Sequence, residues 1–281
     1  MANNCRSDFL WRLPILLLFV TAMVEEAACD SATSFTLDSI RDSLVRQEDT
    51  IIFSLIERAK FPLNSAAYTE SFLKVSKFSG SIVQYIIQGS EALQAKVGRY
   101  ENPEEVAFFP ANLPPSAVHH NFTKILYPAA AGVSINKNIS DIYFNQLLPL
   151  FVAEGDDGNY GQTTAADLAC LQALSRRIHD GRIVAELKYT GSPQDYETAI
   201  RNKDINALMK LLTVASLEEI VKKRVEKKAM VFAQEVTLDD NKNNTTNKYK
   251  VDPSIVRDLY EKWVIPLTKD VEIEYLLHRL D

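Results

Sequence analysis

Nine glycines in 281 residues are too few for a fold rich in tight turns. None lies in a phosphate-cradling glycine loop after a strand or in a G-x-S-x-G nucleophile elbow. Cysteine is scarcer still. Cys5 and Cys29 fall in the first thirty residues, so the remainder has Cys170 alone and can close no internal disulfide. Cys170 lies in a helical apolar run and reads as a small core residue, not a reactive thiol. The four histidines, His119, His120, His179 and His278, lack metal-ligand spacing, which argues against zinc. Positive charge is also in deficit: the formal net charge is −6 and the pI about 5.4. No stretch interleaves lysine and arginine with aromatics, so a nucleic-acid partner is not expected. What survives these exclusions is an enzyme that needs only positioned charges, with no metal and no cofactor, or a protein that is no enzyme.

One long hydrophobic run exists. Arg6 and Arg12 precede Leu13–Val24, which has the length of a signal-peptide core and is too short to cross a bilayer of about 30 Å. Residues 1–29 are therefore expected to be a removable secretory signal, with Ala27 and Cys29 as the small residues before the cut. No membrane span is expected in 30–281. Sequons at Asn121, Asn138, Asn243 and Asn244 become glycosylation candidates if the chain enters that pathway.

The rest is helical in texture. Leu37, Ile40, Leu44, Ile51 and Leu55 follow three–four spacing, with Thr36 placed to cap. Phe78–Tyr100 continues the pattern. Prolines 110, 114 and 115 make Phe109–Tyr127 an irregular connection. Helical texture resumes at Ser140–Val152. Gly155–Thr164 reads as a turn whose threonines can cap a long helix through LSRRIHDGRIVAELKY, Leu174–Tyr189. Helices then follow near Ser192–Lys203, Asp204–Leu212 and Leu217–Glu235, a polar loop at Leu238–Lys250, and a last helix from Pro253 with an adjustment at Pro266. With 46% hydrophobic residues and no dividing linker, the expected fold is all-α: a single helical-bundle domain of about ten helices over 30–281.

In Leu174–Tyr189 the apolar stripe Leu174, Ile178, Val184 and Leu187 carries two cations beside it. Arg177 and Lys188 are eleven residues apart, about 1100° of helical rotation, and so share one face about 16 Å apart along the axis. Two long side chains leaning inward can reach both ends of one small anion. They can equally bury their stems and keep their charges in water. Arg176 and Arg182 point elsewhere.

Five blocks, IRDSLVRQEDTIIFSLIERAKF, KVGRYENPEEVAFFP, LACLQALSRRIHDGRIVAELKY, LEEIVKKRVEKKA and WVIPLTKDVEIEYLLHRLD, resemble the all-helical chorismate mutases of plants and fungi, in that family's order and spacing. The resemblance covers Phe35 to Asp281. It implies a cofactor-free isomerase that rearranges chorismate to prephenate on the way to phenylalanine and tyrosine. It matches Arg41 and Arg177 to arginines that take the substrate's carboxylates. Lys188 matches a donor to the ether oxygen, Glu218 an acceptor from the hydroxyl, Thr268 a carboxylate-side donor, and Glu272 a second, protonated donor to the ether oxygen. Val214 departs from an asparagine in fungal members.

The resemblance also implies a homodimer with an aromatic amino-acid effector site near the interface, matching Arg99, Asn159, Gly161 and Gln162. Gly98 replaces an arginine there, and Gln162 and Ala165 replace hydroxyl residues, so weak or altered control by tryptophan, tyrosine or phenylalanine is expected. The alternatives are a secreted non-catalytic module of the same fold that binds an aromatic amino acid or a protein, a chorismate-consuming lyase or synthase, and, for location, the cytoplasm.

Overall fold

A computed structural model describes residues 35–118, 121–235 and 248–281. The expected signal segment 1–29, His119, His120, the sequons at Asn243 and Asn244, and most of the polar loop at 238–250 lie outside those residues. The α-helices are α1 (Leu37–Arg58), α2 (Ile82–Lys96), α3 (Asn136–Ile142), α4 (Leu148–Phe151), α5 (Tyr160–His179), α6 (Gly181–Gly191), α7 (Pro193–Arg201), α8 (Ile205–Leu212), α9 (Ala215–Phe232), α10 (Pro253–Leu259) and α11 (Ile265–Leu277). Among the described residues the only β-type pairing is the isolated bridge Gln234–Tyr249. The fold is all-α, as expected.

Local chemistry sets the ends of these rods. Thr36 accepts from the Ser39 N–H, and the Ser39 side chain returns a bond to the Thr36 backbone. Ser81 and Gln84 build the same reciprocal cap, so α2 begins at Ile82 rather than at Phe78. It ends before Gly98, whose φ of +83° is the left-handed stop that an arginine would adopt only with strain. α5 begins at Tyr160, earlier than expected. Thr163 and Thr164 are therefore inside it and cap nothing: Thr164 donates to the Tyr160 carbonyl, and Thr163 accepts from Asn64.

Two π-helical stretches, Tyr143–Leu147 and Tyr260–Val264, join α3 to α4 and α10 to α11. Each ends two residues before a proline, Pro149 or Pro266. A proline has no N–H for the carbonyl four residues back and collides with it, and the wider turn accommodates both problems without breaking the rod.

The expected single helix through Leu174–Tyr189 is interrupted at one residue instead. Asp180 separates α5 from α6, and Gly181 lies so close to α11 that a Cβ added there would stand 2.8 Å from the Thr268 carbonyl oxygen. The Asp180 N–H still bonds to the Arg176 carbonyl and the Val184 N–H to that of Asp180, so the chain keeps its helical sense across the interruption.

α5 is the central rod, with α1, α2, α3 and α11 packed against it, while α9 lies against α1 and α10. Ile51, Leu55, Leu171, Ile178, Val225 and Val271 are sealed from water in the main core, each contributing about 1.5–3 kcal/mol by burial. Cys170 is buried among them, as expected. A second core of Ala185, Tyr189, Tyr196, Leu208 and Leu276 joins α6, α7 and α8 to the end of α11. Glu186 ties that end down by accepting from Tyr275 and, through both oxygens, from Arg279.

The main core also encloses an ion pair. Arg58 Nε donates to Asp167 Oδ1 at 2.6 Å, and both side chains are completely buried. Tyr143 and Tyr68 donate to the same carboxylate, and the rest of the guanidinium is taken by the Phe61, Pro62 and Leu63 carbonyls and the Tyr68 hydroxyl oxygen. Every donor and acceptor is used, which is the condition under which a buried pair holds.

Candidate active site

A cavity of about 230 Å³ lies among α1, α5, α6, α8, α9 and α11. Arg41, Arg177, Lys188, Glu218, Thr268 and Glu272, drawn from five helices, all line it. The six expected site residues thus meet in one place. Leu37, Ile40, Leu44, Val184, Leu212 and Val221 make its walls apolar, which strengthens whatever charge interactions occur inside.

Arg177 is the best-buried cation of the set, only 7% exposed. Its Nη1 donates to Thr268 Oγ1 at a long 3.4 Å, its guanidinium lies 5.9 Å from the Tyr260 ring centre, and its Nε has no acceptor among the described residues. A planar fork with unused donors inside an apolar wall is a carboxylate receptor. Arg41 stands at the mouth: it donates to Asp38 at 3.0 Å, and its side chain is 59% exposed. The neighbouring arginines do point elsewhere. Arg176 pairs with Glu104 and Glu105, and Arg182 donates to the carbonyls of His179, Ala131 and Pro103.

Opposite Arg177, Lys188 Nζ donates to Glu272 Oε2 at 3.0 Å and approaches the Leu212 carbonyl at 3.5 Å. Burial pushes the Glu272 carboxyl up, while Lys188 opposes the shift. A second pair lies beside the first: Lys269 Nζ donates to Glu218 Oε1 at 3.0 Å. Lys269 lines the cavity and is absent from the set read from the sequence. Its partner is 51 residues away, so only its place next to Thr268, on a helix that already faces the site, could have pointed to it. With Lys188 and Lys269 matched to carboxylates inside the cavity, Arg177 is left without an ion pair among the described residues. The site is built to accept negative charge.

The expected effector residues are not joined within one chain. Arg99 pairs with Glu105 and donates to Gln172 halfway along α5. Asn159, Gly161 and Gln162 are exposed at the helix start, ten or more residues and thus about 15 Å away along its axis. Asn159 bonds to Asp157 there.

Comparison with known proteins agrees with this geometry. Residues 159–273 match the family described as chorismate mutase type II. The chain is 57% identical over 257 residues to chorismate mutase 2 of Arabidopsis thaliana, covering 91% of this chain and 96% of that one. It is 51% identical to the cytosolic chorismate mutase 2 of Zea mays, covering 88% and 96%. Among solved structures, AtCM1 with tyrosine in its allosteric site superposes with a TM-score of 0.80 at 47% identity, over 90% of this chain and 99% of that one. The Candida albicans chorismate mutase in complex with L-Trp gives 0.82 at 35% identity, over 87% and 91%. Shared sequence along nearly the whole helical region, a shared fold and a cavity lined by the expected charges place the chain in the chorismate mutase family.

Proposed function

We propose that the cavity among α1, α5, α6, α8, α9 and α11 is where this chorismate mutase converts chorismate to prephenate, and that its charged residues divide the work by position. The single observation that carries this assignment is the convergence of Arg177, Lys188, Glu218, Thr268 and Glu272 from four helices on one apolar-walled space. In the reaction an ether C–O bond breaks as a C–C bond forms within one ring of atoms, so no proton, nucleophile or cofactor enters the balance. The protein has two tasks. It holds the substrate in its compact reactive conformer, and it stabilises the negative charge that grows on the ether oxygen.

Arg177, with Thr268 beside it, takes one carboxylate, and Arg41 closes from the mouth on the other. Glu218, oriented by Lys269, accepts from the substrate hydroxyl. Lys188 and Glu272, already 3.0 Å apart, both donate to the ether oxygen. Glu272 can do so only while it holds a proton. Burial favours that form, and a dianionic substrate favours it further by like-charge repulsion.

A pH dependence follows with a definite sign. The working form of Glu272 is the protonated one, so kcat falls as pH rises through its raised pKa. Glu272→Gln keeps an N–H donor that does not titrate, and its kcat should be lower at acid pH but flat toward alkali. Chorismate disappearance and prephenate appearance, followed across pH for both proteins, check this; parallel alkaline declines would refute the role.

We also propose that the chain works as a homodimer whose effector site is weakened. Relatives with tyrosine or L-Trp bound support the existence of such a site. Gln162 and Ala165, exposed where hydroxyl residues were expected, and Gly98 at the end of α2 support its weakness. Tryptophan should change the rate little, and a several-fold activation of the purified protein would refute this. The maize relative is cytosolic. The apolar run at Leu13–Val24 supports a secretory address for this chain instead, which N-terminal sequencing of the native protein decides.

A further inference from the structure

The break between α5 and α6 contains a carboxyl group the reaction does not use. Asp180 is wholly buried. Its Oδ2 accepts from Gln47 Nε2 of α1 at 2.7 Å, whereas among the described residues its Oδ1 has no partner, and neither has Gln47 Oε1. The two orphaned acceptors are thus the free halves of two planar groups already joined through their other halves. A carboxylic acid and a carboxamide satisfy each other as a cyclic pair, amide N–H to acid carbonyl and acid O–H to amide oxygen. One proton on Asp180 supplies the donor both orphans lack. A carboxylate leaves both unmet.

The placement of this couple gives it a role. Gln47 lies six residues along α1 from Arg41, and Asp180 follows Arg177 by three, one turn on along the same side of the chain. Gly181, the next residue, packs on the Thr268 carbonyl. One junction therefore holds α1, α5, α6 and α11 in register. Arg177 Nε is a buried donor without an acceptor, one turn from a buried oxygen without a donor.

We propose that Asp180 is a positioning residue of the active site, joined to Gln47 as an acid–amide couple that sets the stance of α1 and leaves the Arg177 guanidinium free for a substrate carboxylate. The inference rests on the assignment of Arg177 to that carboxylate. Once ionised, Asp180 would draw Arg177 to itself and compete with the substrate. Burial pushes this carboxyl up to about 7, against the pull of the Gln47 bond. Glu104, from the connection after α2, pushes the same way as burial, and Arg176 and Arg177 on α5 pull it down. Arg182 on α6 is held by three carbonyls, and Glu48, next to Gln47 on α1, is committed to Arg224 and Lys228. From α11, Thr268 and Glu272 lie against Gly181.

The effect separates from that of Glu272 in the kinetic constants. A carboxylate is gripped in the ground state and the transition state alike, so loss of Arg177 appears in KM. Charge on the ether oxygen develops only in the transition state, so loss of Glu272 appears in kcat. The wild-type KM for chorismate should rise several-fold across about pH 6–8, one unit either side of the expected titration. Asp180→Asn, whose amide reproduces both bonds to Gln47, should keep the low KM throughout, and Asp180→Leu, which makes neither, should raise KM at every pH. A flat wild-type KM overturns the proposal, as does an Asp180→Asn enzyme with the wild-type pH dependence. An infrared carbonyl band of a buried protonated carboxyl, present in the free wild-type protein on the acid side and lost in Asp180→Asn, is the second expected result, and its absence also overturns the proposal. Failure to convert chorismate at any pH would instead strike the catalytic assignment, and the infrared measurement would still decide the state of Asp180.

Discussion

Arg177→Met is expected to lower kcat/KM several hundredfold, most of it through KM, while leaving the melting temperature unchanged or higher. Removing one partner of a desolvated charge pair costs about 2–5 kcal/mol, and about 1.4 kcal/mol is a factor of ten. The stability side follows from what Arg177 does in the free protein. One 3.4 Å bond to Thr268, a distant ring contact with Tyr260 and an unmatched Nε are poor return for burying a cation. Methionine fills the stem's volume without that cost. Steady-state kinetics and a thermal melt on one preparation check both halves, and a large loss of stability would show that Arg177 belongs to the scaffold. Arg177→Lys should recover only part of the lost activity, because an ammonium cannot present two parallel N–H groups to a carboxylate.

Arg58→Met should do the reverse: unfold the protein easily while leaving the chemistry of whatever remains folded intact. Burial pushes Asp167 up, and Arg58 is the largest influence holding it down. Without Arg58 the carboxyl must either stay ionised among apolar side chains or take up a proton. A buried charge stripped of its partner costs about 3–5 kcal/mol, which for a chain of this size is a drop of roughly 10 °C in Tm. The sign with pH is fixed. In acid both parent and variant carry a neutral Asp167, so the deficit is smallest there, and it grows toward neutrality, where Arg58 lets the parent ionise Asp167 at a lower cost than the variant does. Arg58→Met combined with Asp167→Asn should recover a substantial part of the loss; equal deficits in the single and double variants would mean that the pair is not what holds the Phe61–Leu63 connection to α5.

These expectations draw unequally on sequence and structure. The start of α1 was legible because its cap is local: Thr36 stands before an apolar stripe, and α1 begins where it should, whereas α2 and α5 begin elsewhere than expected. Pro266 announced the adjustment in the last helix for a similar reason. The equivalent stretch before Pro149 was not foreseen, because an apolar run such as LLPLF looks helical whichever carbonyl its backbone bonds to. The break at Asp180 was missed for another reason. HDGR holds an Asp-Gly pair that can mark a turn, but an apolar stripe runs past it on both sides, and the close approach of Gly181 to Thr268, almost ninety residues later, cannot be read from spacing. The six expected site residues could be carried over from a family pattern, whereas Lys269 and Gln47 act through partners 51 and 133 residues away that no spacing rule connects. Effector residues were the least readable, since Arg99, in the turn after α2, and Asn159, at the start of α5, lie far apart in a single chain.

The contact at Gly181 divides the cavity into a wall that cannot yield and one that can. With the Thr268 carbonyl this near, no side chain larger than hydrogen fits, so α6 and α11 are fixed at the spacing one small substrate requires. Val214 and Leu217 on the far rim are exposed and half free of neighbours. Any drift of this scaffold toward a bulkier ligand must begin on that rim, and lineages that vary there can change appetite without loosening the grip on the ring.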